Sequence, residues 1–294
     1  MPPTEPPPLV LAFAASDPSN GAGIGADILT LASMGCHPLV VITAVTVQDT
    51  IGVEGMRAID SDWVADQARA LLEDMTIDAF KIGVLGSVEN ITAIAEIVAD
   101  YPDVPLVLDP VLASGRGDEL ASDEMTHALR ELLLPQTSII TPNSLEARRL
   151  AESDEDDDEP SLAACAARLI EWGAETVLIT GTHDATKDVV NTLYNRSGVV
   201  RSDTWPRLAG SYHGSGCTLA SAIAAMLANG LALPDAVREA QAFTWQTLDK
   251  AYRPGMGQAL PDRMFWARGD ADVPLDDEGE ARVARKRADA RSGH

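Results

Sequence analysis

At 294 residues, 46% of them hydrophobic, the chain can bury a sizeable core and fits one large α/β domain or two small ones, which excludes fibrous and disordered classes. A net charge of -23 and a pI near 4.4 exclude nucleic acid and anionic membranes as partners, because such binding draws its affinity from Lys and Arg. No apolar run reaches the roughly 18 uncharged residues of a membrane span, "MPPTEPPPLV" has no basic segment ahead of an apolar one, and Cys36, Cys165 and Cys217 form no C-x-x-C pair, so the expected setting is the cytoplasm.

A flexible Pro-rich leader is expected over 1–8. "LVLAFAAS" then reads as a buried strand and "GADILTLASMG" as a helix whose Ile28, Leu31 and Ala32 share a face. The alternation continues through the strand "PLVVITAVTVQ", the helix "DWVADQARALLEDM", the strand "AFKIGVL", the helix "VENITAIAEIVADY" and the strand "PLVLDPV". There follow "DEMTHALRELLLP" (helix), "SIITPN" (strand), "LAACAARLIEWG" (helix) and "TVLIT" (strand). Strands apolar throughout, separated by amphipathic helices, predict a mostly parallel sheet covered on both faces. "VVNTLYN" and "GVVRSDTWPRL" read as a small β-hairpin on the sheet edge, and Cys217–Asn229 and Pro234–Arg253 as two closing helices. The acidic run "ESDEDDDE", 152–159, reads as a solvated loop, since adjacent carboxylates repel and lack the glycine turn of a calcium loop. Residues 267–294 are almost devoid of large apolar side chains and read as a disordered charged tail, leaving 9–266 as the folded domain.

Ligands of open parallel sheets bind beyond the carboxyl ends of the strands. Asp17, Gln48, Asp109, Thr141 with Asn143, and Thr180 with Gly181 all follow predicted strands and together outline a cleft. In "SYHGSGCTLASAIAAML", Gly214 and Gly216 allow close backbone approach at a helix start, so the amides around Ser215 turn toward one point suited to an anion. The same field is expected to lower the Cys217 thiol pKa and let the thiolate accept a proton from a substrate hydroxyl, the alternative being a small buried hydrophobe. In "SNGAGIGAD", Gly21, Gly23 and Ala26 fit G-x-G-x-x-A, but five residues separate the strand from the first glycine, which argues against a dinucleotide fingerprint. A glycine loop presenting Asp27 to a small polar ligand suits the pattern better. Asp109 and Glu146 are the carboxylates best placed to hold magnesium; an Asn143–Glu146 helix cap is the plainer alternative.

"SDPSNGAGIGADI", "ITAVTVQDT", "KIGVL", "LDPV", "ITPNSLEA" and "HGSGCTLASAIAA" resemble, in order, the motifs of the hydroxymethylpyrimidine/phosphomethylpyrimidine kinase family of thiamine biosynthesis, within the ribokinase-like superfamily. The resemblance spans about residues 9–266. It implies a three-layer α/β/α fold, a homodimer, and magnesium-dependent transfer from ATP to 4-amino-5-hydroxymethyl-2-methylpyrimidine and then to its monophosphate. Carried over residue by residue, Cys217 is similar to the activating base and Gly214, Ser215 and Gly216 to the anion hole. Gln48 resembles the residue bonded to the pyrimidine edge, Asp27 the polar group near the substrate, and Val84 and Val111 the apolar walls. Asp17 and Gly23 fall on the substrate side of the same loop. Asp109, Asn143 and Glu146 resemble the magnesium and phosphate-positioning set, and Thr180 and Gly181 the nucleotide side. This chain departs from the family at Asn20, Gly25 and Val84, has Thr180 and Thr182 in "LITGTHD" where a lysine-containing motif is common, and has no lysine in "LASGRGDEL" where one is common, with Arg116 a candidate cation for that second loop. Competing readings are a pyridoxal kinase of the same fold, a non-catalytic pyrimidine sensor, and a cysteine hydrolase pairing Cys217 with His213.

Overall fold

The eight residues Leu9–Ser16 (β1) are apolar but for the last, and all except the two ends are buried, as expected of a central strand with both faces covered. The computed structural model describes residues 6–114, 117–152, 160–182 and 186–267. Parallel to β1 run His37–Gln48 (β2) on one side and Ala79–Ile82 (β4) on the other, followed outward by Leu106–Leu108 (β5), Ile139–Ile140 (β6) and Thr176–Thr180 (β7). Three antiparallel strands finish the edges: Val53–Ala58 (β3) beyond β2, and Asp188–Asn195 (β8) with Gly198–Pro206 (β9) beyond β7. The order is β3-β2-β1-β4-β5-β6-β7-β8-β9. Chain direction reverses across the sheet between β1 and β4, and at such a switch point the strand ends leave a crevice.

Side-chain alternation along β1 sorts the helices into two layers. Leu11 and Phe13 join the cluster formed with Ser61–Leu72 (α2), Val88–Ala99 (α3), Asp123–Ala128 (α4), Ser144–Leu150 (α5) and Leu162–Glu171 (α6). Val10, Ala12 and Ala14 face the other way, toward Gly23–Ser33 (α1), Ser215–Ala228 (α7) and Leu233–Asp249 (α8). The result is the three-layer α/β/α arrangement with a mostly parallel sheet and an edge hairpin expected from the sequence.

Several local expectations need correction. β3 did not register as a strand because "VEGMRA" carries a glycine and alternates exposure on a sheet edge, so its backbone pairing to β2 carries the assignment. In α1 the buried stripe is Ile24, Asp27, Thr30 and Leu31, while Ala32 is exposed; the helix is rotated so that a carboxylate enters the interior. The predicted helix ending at Pro135 stops at Ala128 and continues as a π-helical turn and then a 3-10 turn, since Pro135 supplies no N–H. The acidic run from 153, the tail from 268 and Arg116 lie outside the described residues. The chain divides into Met1–Arg263, which holds the sheet and, among the described residues, all eight α-helices, and Met264–His294, whose described part is one 3-10 turn, Phe265–Ala267.

One buried side chain fixes the loop after β4. Asn90, fully buried, donates to Thr43 O (3.0 Å) and Leu85 O (2.8 Å), while Thr43 Oγ1 donates to Val84 O (2.6 Å). Replacing Asn90 by Ala leaves Leu85 O without that donor; we expect a loss of about 1–3 kcal/mol in denaturant unfolding. An unchanged midpoint would mean that the loop holds itself.

Candidate active site

The carboxyl ends of β1, β2 and β4–β7 surround a cleft of about 490 Å³. Of the residues singled out in the sequence, Asp17, Gly23 and Gln48 line its first wall, Val84 and Val111 its middle, and Asp109, Asn143, Glu146 and Thr180 the far side. Gly214, Ser215, Gly216 and Cys217 close it from the start of α7. Two expected members are not on the surface of the cleft. Gly181 is buried beside it, and Asp27 is fully buried beneath it, so Asp27 can act on a bound molecule only through other groups.

Two glycine loops build the α7 end. Gly214 has φ 83°, and a Cβ there would collide with the Gly21 carbonyl, so only glycine brings the loops this close. No side chain caps α7, leaving the first-turn amides available to a ligand. The opposite loop is organised by Asp17, whose carboxylate accepts from Ser19 N (2.8 Å), Ala22 N (2.8 Å) and Ser19 Oγ. Burial works against the Asp17 charge, but His213 and these donors hold its carboxyl below the usual range.

His213 Nε2 lies 2.8 Å from Asp17 Oδ2 and 3.0 Å from the Gln48 side-chain amide. The structure turns Gln48 Nε2 toward His213 and Oε1 toward Thr46 Oγ1, which itself donates to Ser16 O; because a carboxylate at that distance requires the proton on His213 Nε2, the amide is assigned the flipped orientation, its oxygen toward His213 and its NH2 toward Thr46. The amide keeps one N–H and one lone pair for a ligand. His213 is thus bonded to Asp17 and Gln48, and among the described residues no hydrogen bond joins it to Cys217, so the Cys–His pair that a hydrolase needs is not formed.

Beneath the cleft lies a group the sequence reading passed over. Lys81 is fully buried on β4, 2.9 Å from Asp27 and 4.0 Å from Asp109, and Ser221 on α7 donates to Asp27 (2.7 Å). Burial opposes the lysine charge, yet Asp27, Cys217 and Asp109 more than offset it and hold Lys81 above the ordinary lysine range. The available signal was a cation inside the strand "AFKI", all four residues of which are buried.

Cys217 behaves opposite to expectation. Burial is the largest influence and pushes the thiol up to about 12; Asp109 and Asp27 push the same way, while Lys81 and the Gly23 N–H pull it down. The thiol remains protonated at neutral pH, beside the Asp109 carboxylate. Asp109 is itself raised to about 6, by burial and by Asp27, against Lys81 and the thiol hydrogen bond. Glu146 is raised to about 7 by burial and by Asp109. Asn143 and Glu146 do form a capping box: Asn143 Oδ1 accepts from Leu145 N and Glu146 N, and Glu146 accepts from Asn143 N and Leu112 N. Asp109 Oδ2, by contrast, is buried without a hydrogen-bond partner.

No set of three or more His, Cys, Asp and Glu suited to a metal occurs among the described residues. Two proton-retaining carboxylates at the cleft, one with an orphaned oxygen, fit a cation of the magnesium type, which takes its other ligands from water and phosphate. Two arginines also escaped the sequence reading. Among the described lining residues Arg207 is the one Lys or Arg, and Arg263 is buried behind the glycine loops. Neither lies in a recognisable motif, so proximity to the cleft is visible only in three dimensions.

A family model described as phosphomethylpyrimidine kinase matches residues 17–262. The chain is similar to the hydroxymethylpyrimidine/phosphomethylpyrimidine kinase of Mycobacterium tuberculosis, 39% identical over 266 residues that cover 90% of this chain and 96% of the relative. Among solved structures it resembles the phosphomethylpyrimidine kinase of Clostridium difficile, with a TM-score of 0.70 and 31% identity over 82% of this chain and 99% of that one. It also resembles the Staphylococcus aureus pyridoxal kinase solved in complex with AMP-PCP and pyridoxal, with a TM-score of 0.79 and 27% identity over 89% and 95%.

Glu146 and Asp109 keep their protons to higher pH folded than unfolded, so folding takes up protons between about pH 4 and pH 7. Their stabilising contribution is complete below the unfolded values and is lost as pH rises through the folded ones. Glu146→Gln, which keeps a capping side chain, should flatten this loss by an amount on the order of 2–3 kcal/mol in unfolding midpoints compared at low and neutral pH. Parallel curves for the two proteins would remove Glu146 as a source.

Proposed function

The chain belongs to the phosphomethylpyrimidine kinase family, and on that premise we propose how its cleft divides the work of phosphoryl transfer. The enzyme is a phosphotransferase that uses ATP to phosphorylate 4-amino-5-hydroxymethyl-2-methylpyrimidine and its monophosphate in thiamine biosynthesis. The observation that carries the assignment of roles is the meeting of three things at one point: the uncapped start of α7, the Cys217 thiol beside the Asp109 carboxylate, and the Lys81 ammonium below them.

Val84 and Val111 flank the ring, and the remaining donor and acceptor of Gln48 match the adjacent amino group and ring nitrogen of an aminopyrimidine. Asp17 and Gly23 keep the surrounding loop in shape. The 5-hydroxymethyl oxygen faces Cys217; its proton passes to the sulfur as the thiol proton passes to Asp109, so no free thiolate is needed beforehand. Lys81, held by Asp27, balances the negative charge on the Cys217–Asp109 pair. The amides of Gly214, Ser215, Gly216 and Cys217 receive the negative charge that develops on the transferred phosphoryl group. Magnesium would be held by Asp109 with Glu146 beside it, and supplies charge neutralisation on the phosphates when bound. Thr180, Gly181 and Asn143 border the nucleotide side, where Arg207 supplies the positive charge that the chain's threonines at 180 and 182 do not. No described helix is long and apolar enough to cross a membrane, which accords with a cytoplasmic enzyme, and the family resemblance carries the homodimer.

ADP release with magnesium-ATP, offered hydroxymethylpyrimidine, its monophosphate and pyridoxal in parallel, tests the substrate reading. Both pyrimidines should turn over, and Asp109→Asn should lower kcat by about 10²–10⁴. Preference for pyridoxal, or an unimpaired Asp109→Asn enzyme, overturns it. On the nucleotide side, Arg207→Gln should raise KM for ATP by about tenfold and leave KM for the pyrimidine unchanged. A shift in both constants would make Arg207 a loop brace, consistent with its bonds to Gly181 O, Thr182 O and Thr186 O.

A further inference from the structure

Downstream of α8, residues 258–263 run back along the second glycine loop. Ala259 N donates to Ser211 O (3.0 Å), His213 N to Ala259 O (2.9 Å), and Asp262 N to Thr247 O (2.9 Å). At the end of this strip Arg263, only 3% exposed, turns its guanidinium into the protein. Nη2 donates to Gly21 O (2.6 Å) and Gly214 O (3.4 Å), Nη1 to Asn20 O (3.3 Å), and Nε to Thr218 Oγ1 (3.0 Å).

Every one of these partners is a neutral oxygen, and among the described residues Arg263 makes no salt bridge. A buried guanidinium without a counter-ion is costly, yet arginine does not shed its proton in proteins. Burial lowers its pKa, and Cys217, Asp27, Tyr252 and Asp17 pull it back up. The planar fork also does what a point charge cannot: it spans carbonyls of two separate loops at once. The first loop contributes the carbonyls of Asn20 and of Gly21, against which Gly214 packs, and the second that of Gly214, the N-cap of α7.

We propose that Arg263 is a positioning residue for phosphoryl transfer: it locks the two glycine loops into one cradle and places a fixed positive charge behind the anion-binding start of α7. It touches neither substrate nor reacting atoms. A transferring phosphoryl group on the far side of the loops completes its charge balance, so the cost of burying Arg263 is recovered most when negative charge is there. This inference rests on the kinase reading for its catalytic half and on the protein alone for its electrostatic half.

The experiment separates the two. Arg263→Lys keeps charge and loses the fork; Arg263→Met loses both. For catalysis, Arg263→Lys should lower kcat at least about tenfold while KM for the pyrimidine stays within about threefold. For charge, the affinity for inorganic phosphate, read by isothermal titration calorimetry, should fall about tenfold in Arg263→Met and stay near the parent value in Arg263→Lys. Melting temperatures of all three proteins show that each comparison is made on folded material, and if Arg263→Met does not fold, Arg263→Gln takes its place. Parental kcat in Arg263→Lys overturns the cradle role. Parental phosphate affinity in the neutral variant overturns the charge role and leaves Arg263 a structural staple. A parent enzyme without kinase turnover removes the kinase reading instead, and the phosphate-binding result still stands.

Discussion

Lys81 Nζ and Asp27 Oδ1 meet at 2.9 Å in a place water does not reach, and the catalytic end of the sheet is arranged around that contact. The lysine comes from β4 and the aspartate from α1; Ser221 of α7 donates to the same carboxylate, and Asp109 at the end of β5 lies 4.0 Å from the ammonium. Four elements that share no sequence neighbourhood are thereby held to one point. Removing one member of such a buried pair typically costs about 3–5 kcal/mol, because the survivor is left charged and unsolvated. The ion pair therefore fixes where the strand ends can sit, and with them the walls of the cleft.

The same cluster decides which electrostatic effect wins at Cys217. A helix start contributes about 0.3–1 kcal/mol to a nearby negative charge, less than one pKa unit, whereas full burial moves a group by up to several units. Two carboxylates add to burial, and Lys81 is already committed to Asp27. The thiol ends near 12, far from the value the helix field alone suggests. A protonated thiol beside a carboxylate is a different device from an activated thiolate: it can pass a proton along as it receives one. Asp109 and Glu146 both hold protons above the usual carboxylate range, chiefly because they are buried and in part because each faces another carboxylate. A cleft so acidic, with Arg207 as its one lining Lys or Arg among the described residues, is suited to a polyanion that arrives with its own cation.

Backbone geometry supplies what side chains do not. Gly214 packs on the Gly21 carbonyl with positive φ, Asp17 ties down the first loop, and His213 links Asp17 to Gln48. The pocket is thus preformed: the residue expected to read the ring edge is oriented by a histidine whose own proton is set by a carboxylate. The Asn143–Glu146 capping box shows that one pair can stabilise a helix and still face the cleft, so the plain and the functional readings of these residues are compatible.

By itself the sequence determined the layers, the parallel sheet, the edge hairpin and most of the cleft. Apolar strands alternating with amphipathic helices leave few other solutions, and polar residues at strand ends converge wherever the strands are parallel. β3 was hidden because an edge strand with a glycine and half-exposed side chains lacks the apolar signal that marks β1. Only the tertiary structure decided the electrostatics. Asp27 reads as a loop residue near a substrate until the rotation of α1 carries it inside; Lys81 reads as part of a strand motif until Asp27 and Asp109 close on it. Arg207 and Arg263 sit far from the glycine motifs in the chain and reach them only in three dimensions. Charge, burial and pKa depend on distances between segments that are remote in sequence, and such distances exist only once the chain has folded.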